Sequence, residues 1–272
     1  MSRAGVIRLA VFGQPVRHSL SPRIHGLFAE QAGLDVDYRA IEAAPGTLGM
    51  ALETFAAEGG VGCNVTLPLK AEAMALADTG TDRVERAAAA NTLVRDGDGW
   101  WADNTDGLGL VADLRRLGLD PGGRHVAILG AGGAAAGVLA TLLSAGPREV
   151  RLFNRTPKKA RALADRHTDL GPVSADGFDA LGKASFDLVL NATSLGHDGD
   201  LPPVTREVFG PDGVLYDLNY GPAAEPLADW ARQARLPFHD GLGMLVGQAA
   251  ESFERWTGFR PDTGPVLAAL RT

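Results

Sequence analysis

The sequence predicts an α/β protein of two domains, the second built on a doubly wound parallel sheet. At 272 residues the chain exceeds the usual size of one domain. Strand-like apolar runs alternate with helical segments along most of its length, as in sheets covered by helices. One such run, residues 126–129, leads directly into a glycine-rich turn and a helix-compatible segment. That order is typical of a nucleotide-binding βαβ unit.

The composition is that of an ordinary globular protein. Hydrophobic residues make up 45% and charged residues 22% of the chain, and the formal net charge is -7. This charge opposes nonspecific binding to nucleic acid or anionic membranes, so we expect neither as a partner. The single cysteine excludes an internal disulfide and a thiolate zinc cluster, which fits a reducing cytoplasm. The six histidines are scattered without metal-ligand spacing, so no metal is expected.

The first half of the chain predicts alternating strands and helices followed by a hairpin. Strands are expected over residues 7–12, 36–41 and 62–66, and helices over 21–32, 47–58 and 71–76. A turn at residues 96–99 joins hairpin strands 92–94 and 100–102, and a helix follows over 107–117. Residues 120–123, Asp-Pro-Gly-Gly, are interpreted as a linker. Later strands are expected over 126–129, 150–153, 188–191 and 214–217, and a helix over 243–256.

The glycine-rich segment, VAILGAGGAAAG over residues 126–137, is where phosphates are expected to bind. Gly130 permits a tight turn, Gly132 lets backbone N–H groups approach a pyrophosphate, and the helix directs its positive end there. Ala135 replaces the third glycine of the usual pattern. The next strand ends in Asn154-Arg155-Thr156, without the acid that accepts hydrogen bonds from a ribose 2′-hydroxyl. The site therefore favours NADP over NAD.

Residues 126–146 also allow another interpretation, because they carry no charge and are long enough to cross a bilayer. Five glycines in that stretch and the flanking strand signals argue against a spanning helix. The N-terminus does not predict a signal peptide, because its apolar stretch is short and is broken by Arg8.

Four short polar segments outside the glycine-rich region indicate chemistry. In the first, Ser19 and Ser21 stand two residues apart and could together hold a carboxylate. Alternatively, Ser21 caps a helix that begins at Pro22. The second segment, residues 64–70, ends with Lys70 in the first turn of a helix, where the helix dipole favours the neutral amine over the ammonium.

The third and fourth segments are residues 89–92 and 103–107, and the hairpin places the latter before a helix. Asp106 should stay ionised at the positive end of that helix. Its alternative role is that of an N-cap.

Taken together, the ordered motifs of the chain resemble those of the bacterial shikimate dehydrogenase family, nearly end to end. They are SLSP at residues 19–22, NVTLPLK at 64–70, NT at 91–92, NTD at 104–106, GAGGAA at 130–135, NRT at 154–156, NATSLG at 191–196, DLNY at 217–220 and GMLVGQ at 243–248.

The resemblance implies a reversible, NADPH-dependent reduction of 3-dehydroshikimate to shikimate in aromatic amino-acid biosynthesis. It implies an N-terminal α/β substrate domain over residues 1–106, completed by C-terminal helices 243–272, and a Rossmann-type NADP-binding domain over 107–242. Lys70 and Asp106 would be catalytic and would lie close together. An ion pair between them would favour the ammonium form of Lys70, against the effect of the helix dipole, so the acid–base role is assigned to the pair rather than to either member. The residues implied to bind substrate are Ser19, Ser21, Asn64, Thr66, Asn91, Asp106, Tyr220 and Gln248.

On the cofactor side, the resemblance implies four groups of residues. Those on the pyrophosphate would be Gly130, Ala131, Gly132, Gly133, Ala134 and Ala135, and those on the adenosine phosphate Asn154, Arg155, Thr156 and Lys159. Thr193, Leu218, Gly241 and Met244 would lie near the nicotinamide, and Asp82 would touch the cofactor. The basic residues around Arg155 could instead form a solvated helix start. Gly26, Ala88, Ala90 and His197 depart from the family's usual residues, and none of these departures removes a polar group from the implied site.

Two rival functions remain at this point. A quinate or aminoshikimate dehydrogenase would differ by small changes around the ring hydroxyls, and Asn154-Arg155-Thr156 disfavours an NAD-using quinate enzyme. A noncatalytic NADP(H) sensor would have no reason to keep Lys70 and Asp106 together. We expect a monomer or homodimer.

Overall fold

The computed structural model describes residues 5–272, which form two compact units. Unit one comprises the chain up to Gly109 together with Val246–Thr272, and unit two is Leu110–Leu245. The chain passes from one unit to the other inside two helices, Asp106–Arg116 and Leu242–Thr257. Each unit contains one six-stranded sheet.

Unit one is a mixed α/β layer built around strand order β2-β1-β3-β5-β6-β4. Its strands are β1 Ile7–Gly13, β2 Val36–Glu42, β3 Gly60–Val65, β4 Thr79–Gly80, β5 Thr92–Asp96 and β6 Gly99–Asp103. Its helices are α1 Ser21–Ala32, α2 Leu48–Ala57, α3 Lys70–Leu76, α4 Asp82–Ala87, the start of α5 Asp106–Arg116, most of α9 Leu242–Thr257, and α10 Thr263–Leu270.

The first three of these strands run parallel, and β5 then reverses direction beside β3 and forms the predicted hairpin with β6. The hairpin closes at Asp96 opposite Gly99, as the sequence predicts. Strand β4 and helix α4 are additional to the prediction. They are too short, at two and six residues, for apolar periodicity to reveal them.

The second half of the fold, in unit two, is a doubly wound parallel sheet of order β12-β11-β10-β7-β8-β9, which confirms the predicted fold class. Its strands are β7 His125–Leu129, β8 Glu149–Asn154, β9 Val173–Gly177, β10 Phe186–Asn191, β11 Phe209–Asp217 and β12 Phe238–His239. Its complete helices are α6 Gly133–Ser144, α7 Pro157–Asp165 and α8 Glu225–Gln233, with short 3₁₀ turns between elements.

Strand β7 shows why its sequence is continuously apolar. Val126 and Ile128 pack into one hydrophobic core of unit two, whereas Ala127 and Leu129 pack into the core on the opposite face. A parallel strand covered on both faces has no solvent side, so it shows no polar alternation. The topological reversal falls between β7 and β10, where ligands bind in such sheets.

The fold confirms one local prediction from the sequence and corrects another. Residues 126–146 form a strand, a turn and the twelve-residue helix α6, and within residues 5–272 no helix is long and apolar enough to cross a membrane. Residues 120–123 are not a linker between domains but a turn within unit two. The Gly122 N–H donates to Asp120 Oδ1 at 2.9 Å, and Gly123 N–H donates to the carbonyl of Gly146 at 2.9 Å.

Candidate functional site

Lys70 and Asp106 meet in unit one because two helices begin at these residues. Helix α3 begins at Lys70, and α5 begins at Asp106 shortly after β6 ends at Asp103. Lys70 Nζ lies 2.5 Å from Asp106 Oδ2, and the two side chains are 18% and 10% exposed. The pair is therefore largely desolvated yet still open to a small molecule. Pro68 lies just before Leu69, the N-cap residue of α3.

Asp106 does not serve as the cap of α5. The N–H of Asp106 donates to Asn104 Oδ1 at 3.2 Å, so a different side chain accepts from this helix end. The Asp106 carboxylate instead accepts from Lys70 through Oδ2 and from Asn91 Nδ2 at 2.7 Å through Oδ1. Both oxygens are thus directed at site residues, which contradicts the N-cap alternative.

Asn91 and Gln248 complete this polar group. Asn91 Nδ2 also lies 2.9 Å from Thr105 Oγ1 and 3.2 Å from Gln248 Oε1, while Asn91 Oδ1 accepts from the Thr105 N–H at 2.9 Å. Gln248 comes from α9, more than 140 residues from Thr105 in sequence, and is buried. The structure therefore brings together four of the predicted site residues, Lys70, Asn91, Asp106 and Gln248.

Asn64 is held by partners that the sequence did not reveal. Its Nδ2 donates to the Asn91 carbonyl at 3.1 Å and to Ser252 Oγ at 2.9 Å, and its Oδ1 accepts from the Tyr38 hydroxyl at 2.8 Å. His25 Nε2 lies 3.2 Å from the same oxygen. Because Oδ1 is an acceptor, Nε2 carries the proton, and burial lowers the pKa of His25 to about 3, so the ring is neutral. The substrate role of Asn64 stays a prediction.

Ser19 and Ser21 lie at the start of α1, whose N-cap residue is Leu20 and not Ser21, and Leu20 makes no side-chain cap. Ser21 is itself the first helical residue and is buried, and its N–H donates to Ser19 Oγ at 3.2 Å. The capping alternative for Ser21 is therefore wrong. Thr66 follows β3, is half-buried, and donates its N–H to the Phe12 carbonyl at 2.8 Å.

The glycine-rich turn of unit two fits a bound pyrophosphate. Gly130 has φ +104°, and a Cβ there would lie 2.9 Å from the Ala192 carbonyl, so only glycine suits this turn. At Gly132 and Gly133, which start α6, a Cβ would meet no atom within 4 Å, so the space beside their backbone is open. Ala135 is fully buried in the core, whereas Ala131 is half-buried and Ala134 exposed. These features leave open space at a helix N-terminus, as a bound anion would need, and the pyrophosphate role of this turn stays a prediction.

A basic surface follows β8. Arg155, Thr156 and Lys159 are exposed, and Asn154 Nδ2 donates to the Thr156 carbonyl at 3.0 Å. Thr156 is the N-cap residue of α7 but makes no side-chain cap. Within residues 5–272, neither Arg155 nor Lys159 forms an ion pair, although several other arginines of unit two do. Cations at the positive end of a helix are offset by a bound anion, so this end fits a phosphate group.

Three residues predicted near the nicotinamide, Thr193, Leu218 and Gly241, follow the carboxyl ends of β10, β11 and β12. The Leu218 N–H donates to the Asn191 carbonyl at 2.9 Å, and the Gly241 N–H donates to the Asn219 carbonyl at 2.8 Å. Asn219 Nδ2 donates to the Thr193 carbonyl at 3.0 Å.

The remaining predicted residues lie as follows. Tyr220 is half-buried just beyond β11, and burial raises the pKa of its hydroxyl. Met244, in the first turn of α9, packs against the unit two core. Asp82 is exposed at the start of α4 in unit one, and its cofactor role stays a prediction. No cluster of three or more potential metal-ligating side chains occurs in residues 5–272.

The sequence assigned no individual role to several residues of these networks: His25, Tyr38, Thr92, Thr105 and Ser252 in unit one, and Asn191, Asp217 and Asn219 in unit two. No local spacing marks His25, Tyr38 or Ser252, because their contacts join elements distant in sequence. Thr92 and Thr105 lie in the predicted polar segments, and Asn191, Asp217 and Asn219 lie in motifs that carry the family resemblance. For Asn191 and Asp217 the available signal was a polar residue that ends a buried parallel strand.

Comparison with known proteins gives consistent matches along the chain. Three family models match: shikimate dehydrogenase substrate binding domain over residues 11–93, shikimate / quinate 5-dehydrogenase over 115–197, and shikimate 5'-dehydrogenase C-terminal domain over 241–271. A shikimate dehydrogenase (NADP(+)) from an Acidovorax species is 48% identical over 96% of this chain and 94% of its own length. One from Xanthomonas campestris is 50% identical, covering 98% and 96%.

Among solved structures, shikimate 5-dehydrogenase from Thermus thermophilus in complex with NADP(H) and shikimate superposes with a TM-score of 0.87. It is 33% identical to this chain, and the match covers 97% of this chain and 98% of that one. The likeness therefore extends over both units.

Proposed function

Since the chain belongs to the shikimate dehydrogenase family, we propose that it catalyses the reversible, NADPH-dependent reduction of 3-dehydroshikimate to shikimate. The observation that carries this proposal is the largely desolvated contact between Lys70 and Asp106, which Asn91 and Gln248 surround with hydrogen-bonding groups. A noncatalytic NADP(H) sensor would not need this arrangement.

Lys70 is the proposed proton donor. Reduction of a ketone leaves negative charge on the carbonyl oxygen, and a group within hydrogen-bond reach of that oxygen must supply a proton. The Lys70 ammonium gives a proton from Nζ to this oxygen and takes one back in the reverse direction. Asp106 holds Nζ in place and accepts a hydrogen bond from the substrate hydroxyl. Because Asn91 Nδ2 donates to the other carboxylate oxygen, the direction of the Asp106 carboxylate is fixed before substrate binds.

Substrate contacts are assigned to polar side chains. Ser19 and Ser21 would bind the carboxylate, which charge-assisted hydrogen bonds from hydroxyls favour. The residues that would contact the carboxylate or ring hydroxyls are Asn64, Thr66, Asn91, Tyr220 and Gln248. The internal bonds of Asn64 support this assignment by fixing the orientation of its amide.

The proposed cofactor is NADP(H), which supplies the hydride when bound. Residues 130–135 would hold its pyrophosphate, and Asn154, Arg155, Thr156 and Lys159 would hold the adenosine 2′-phosphate. Thr193, Leu218, Gly241 and Met244 would contact the nicotinamide end, and Asp82 would also touch the cofactor. The open glycine backbone and the exposed basic side chains support these assignments.

We further propose that the enzyme works in the cytoplasm as a monomer or homodimer. Its one cysteine, Cys63, is a buried thiol, and burial raises the pKa of that thiol well above its ordinary value. A protein without disulfides suits a reducing compartment.

The proposal is tested by following absorbance at 340 nm with shikimate or quinate and with NADP⁺ or NAD⁺. We expect shikimate with NADP⁺ to be the preferred pair. Equal efficiency with quinate would assign a quinate dehydrogenase instead, and equal efficiency with NAD⁺ would remove the proposed role of Arg155. Binding of NADPH without turnover of either substrate would indicate the sensor function.

A further inference from the structure

Asp217, the last residue of β11, is a fully buried carboxyl whose two oxygens have unlike surroundings. Oδ1 accepts three hydrogen bonds, from Asn191 Nδ2 at 2.9 Å, the Asn219 N–H at 3.0 Å and Asn219 Nδ2 at 2.9 Å. In the part of the chain that the structure describes, Oδ2 has no hydrogen-bond partner. A buried polar atom without a partner is costly, so its presence calls for an explanation.

The carboxyl belongs to a closed ring of side chains at the reversal edge of the sheet. Asn191 Oδ1 accepts from the Thr193 N–H at 3.1 Å and from Thr193 Oγ1 at 2.7 Å, and Asn219 Nδ2 donates to the Thr193 carbonyl. Asn191 lies opposite Asp217 in β11 and Leu129 in β7, one residue before Gly130. The ring therefore fixes the same backbone to which the nicotinamide end of the cofactor is assigned.

This ring does not require a charge. An asparagine at position 217 would place an amide oxygen where Oδ1 accepts its three bonds, without burying an anion. Burial raises the pKa of Asp217 to about 6, the bonds from Asn219 and Asn191 lower it, and the neighbouring acid Asp240 raises it again. At pH 8 the carboxyl is therefore ionised, among dipoles rather than beside a paired cation. The charge must be explained by something other than the fold.

In the proposed reaction, one group assigned to this edge of the sheet changes its charge, namely the nicotinamide ring. The nicotinamide ring is cationic in NADP⁺ and neutral in NADPH. A buried anion interacts more strongly with the cationic form, since low-dielectric surroundings screen little of the attraction. We propose that Asp217 is a positioning residue whose carboxylate favours the oxidised cofactor. Through Asn191 and Asn219 it holds the backbone of Thr193 and Leu218 in place. Its negative charge stabilises the cationic nicotinamide. This inference rests on the proposed function.

The test measures equilibrium binding without turnover. NADPH is titrated by its fluorescence at pH 8, and NADP⁺ and adenosine 2′,5′-bisphosphate are measured by competition, in the wild type, Asp217→Asn and Asp187→Asn. Asp187 is the matched control, because it lies in the neighbouring strand β10 near its opposite end and accepts from the His125 N–H at 2.8 Å.

Asp217→Asn should weaken the binding of NADP⁺ relative to that of NADPH by roughly fivefold or more. Adenosine 2′,5′-bisphosphate, which lacks the nicotinamide, should bind unchanged, and Asp187→Asn should match the wild type.

Parallel weakening of NADP⁺ and NADPH, or an unchanged ratio between them, would overturn the inference. Should Asp217→Asn fail to fold, Asp217→Ser keeps a small acceptor without the charge and is expected to shift the ratio in the same direction. Failure of the wild type to bind either cofactor would instead overturn the proposed function, and the inference with it. A wild type that binds both cofactors, with no shift in the variants, would overturn the inference and leave the proposed function intact.

Discussion

Lys70 Nζ lies 2.5 Å from Asp106 Oδ2, and the opposite oxygen of the same carboxylate accepts from Asn91 Nδ2 at 2.7 Å. The lysine starts one helix and the aspartate starts another, 36 residues later in the chain. The carboxylate therefore connects the proposed proton donor to a fixed amide, which limits the positions that the ammonium can adopt.

Lys70→Ala should lower kcat by about 10²- to 10⁴-fold with a smaller change in KM for shikimate, because general acid–base catalysis contributes a factor of that size. Steady-state kinetics with NADP⁺ measure both constants. Lys183→Ala, at an exposed lysine of unit two, is the control and should leave both unchanged. If kcat survives in Lys70→Ala and only KM rises, Lys70 is a binding residue.

Ser21→Ala should raise KM for shikimate and leave NADPH binding unchanged, since a hydroxyl bond to the substrate carboxylate contributes about 1.5–3 kcal/mol. The structure shows no capping bond from Ser21, so loss of a cap is not expected to lower the melting temperature. Kinetics and thermal unfolding of the same variant check both statements. A lower melting temperature with an unchanged KM would contradict the assignment.

Arg155→Ala should weaken NADPH by about 10- to 150-fold, because a lost arginine–phosphate contact removes about 1.5–3 kcal/mol. NADH lacks the 2′-phosphate and should bind as before. Arg148→Ala removes an exposed arginine just before the opposite end of the same strand and serves as the control. Equal losses for both cofactors would indicate damage to the fold, and no loss for NADPH would show that Arg155 begins a solvated helix.

Asp217→Asn should stabilise the apo protein at pH 8. Burial raises the pKa of Asp217 from 3.8 to about 6, so between these values the folded state binds more protons than the unfolded state. The free energy of unfolding contributed by Asp217 therefore falls as pH rises from 3.8 to about 6, and the full cost of burying the ionised carboxylate persists above pH 6. At roughly 1.4 kcal/mol per pKa unit, removing the charge gains up to about 3 kcal/mol at pH 8.

Urea unfolding of wild type and Asp217→Asn at pH 8 and pH 4 measures this gain. The two proteins should differ less at pH 4, where the carboxyl is largely protonated in the folded state. A wild type that is more stable than the variant at pH 8 would show that Asp217 is not a destabilising buried charge.

The sequence by itself determined the fold class, the order of the main elements and the glycine-rich turn. These depend on local chemistry: continuous apolar runs mark strands buried on both faces, and Gly130 occupies a turn with positive φ that other residues disfavour. The family resemblance supplied the residues of the site. Local pattern could not detect β4 or β12, because two residues carry no periodicity.

Only the tertiary structure decided between local and long-range partners. Ser21 and Asp106 each lie where a helix begins, and the sequence allows each to be either a helix cap or a residue of the functional site. The fold leaves Ser21 without a capping bond and directs both oxygens of Asp106 to Lys70 and Asn91. Likewise, Ser252 reaches Asn64 from 188 residues away, and Asp217 is closed into a ring by Asn191 of another strand. Such bonds depend on which helices and which ends of strands the topology places side by side. The spacing of residues within one segment of the sequence does not determine these neighbours.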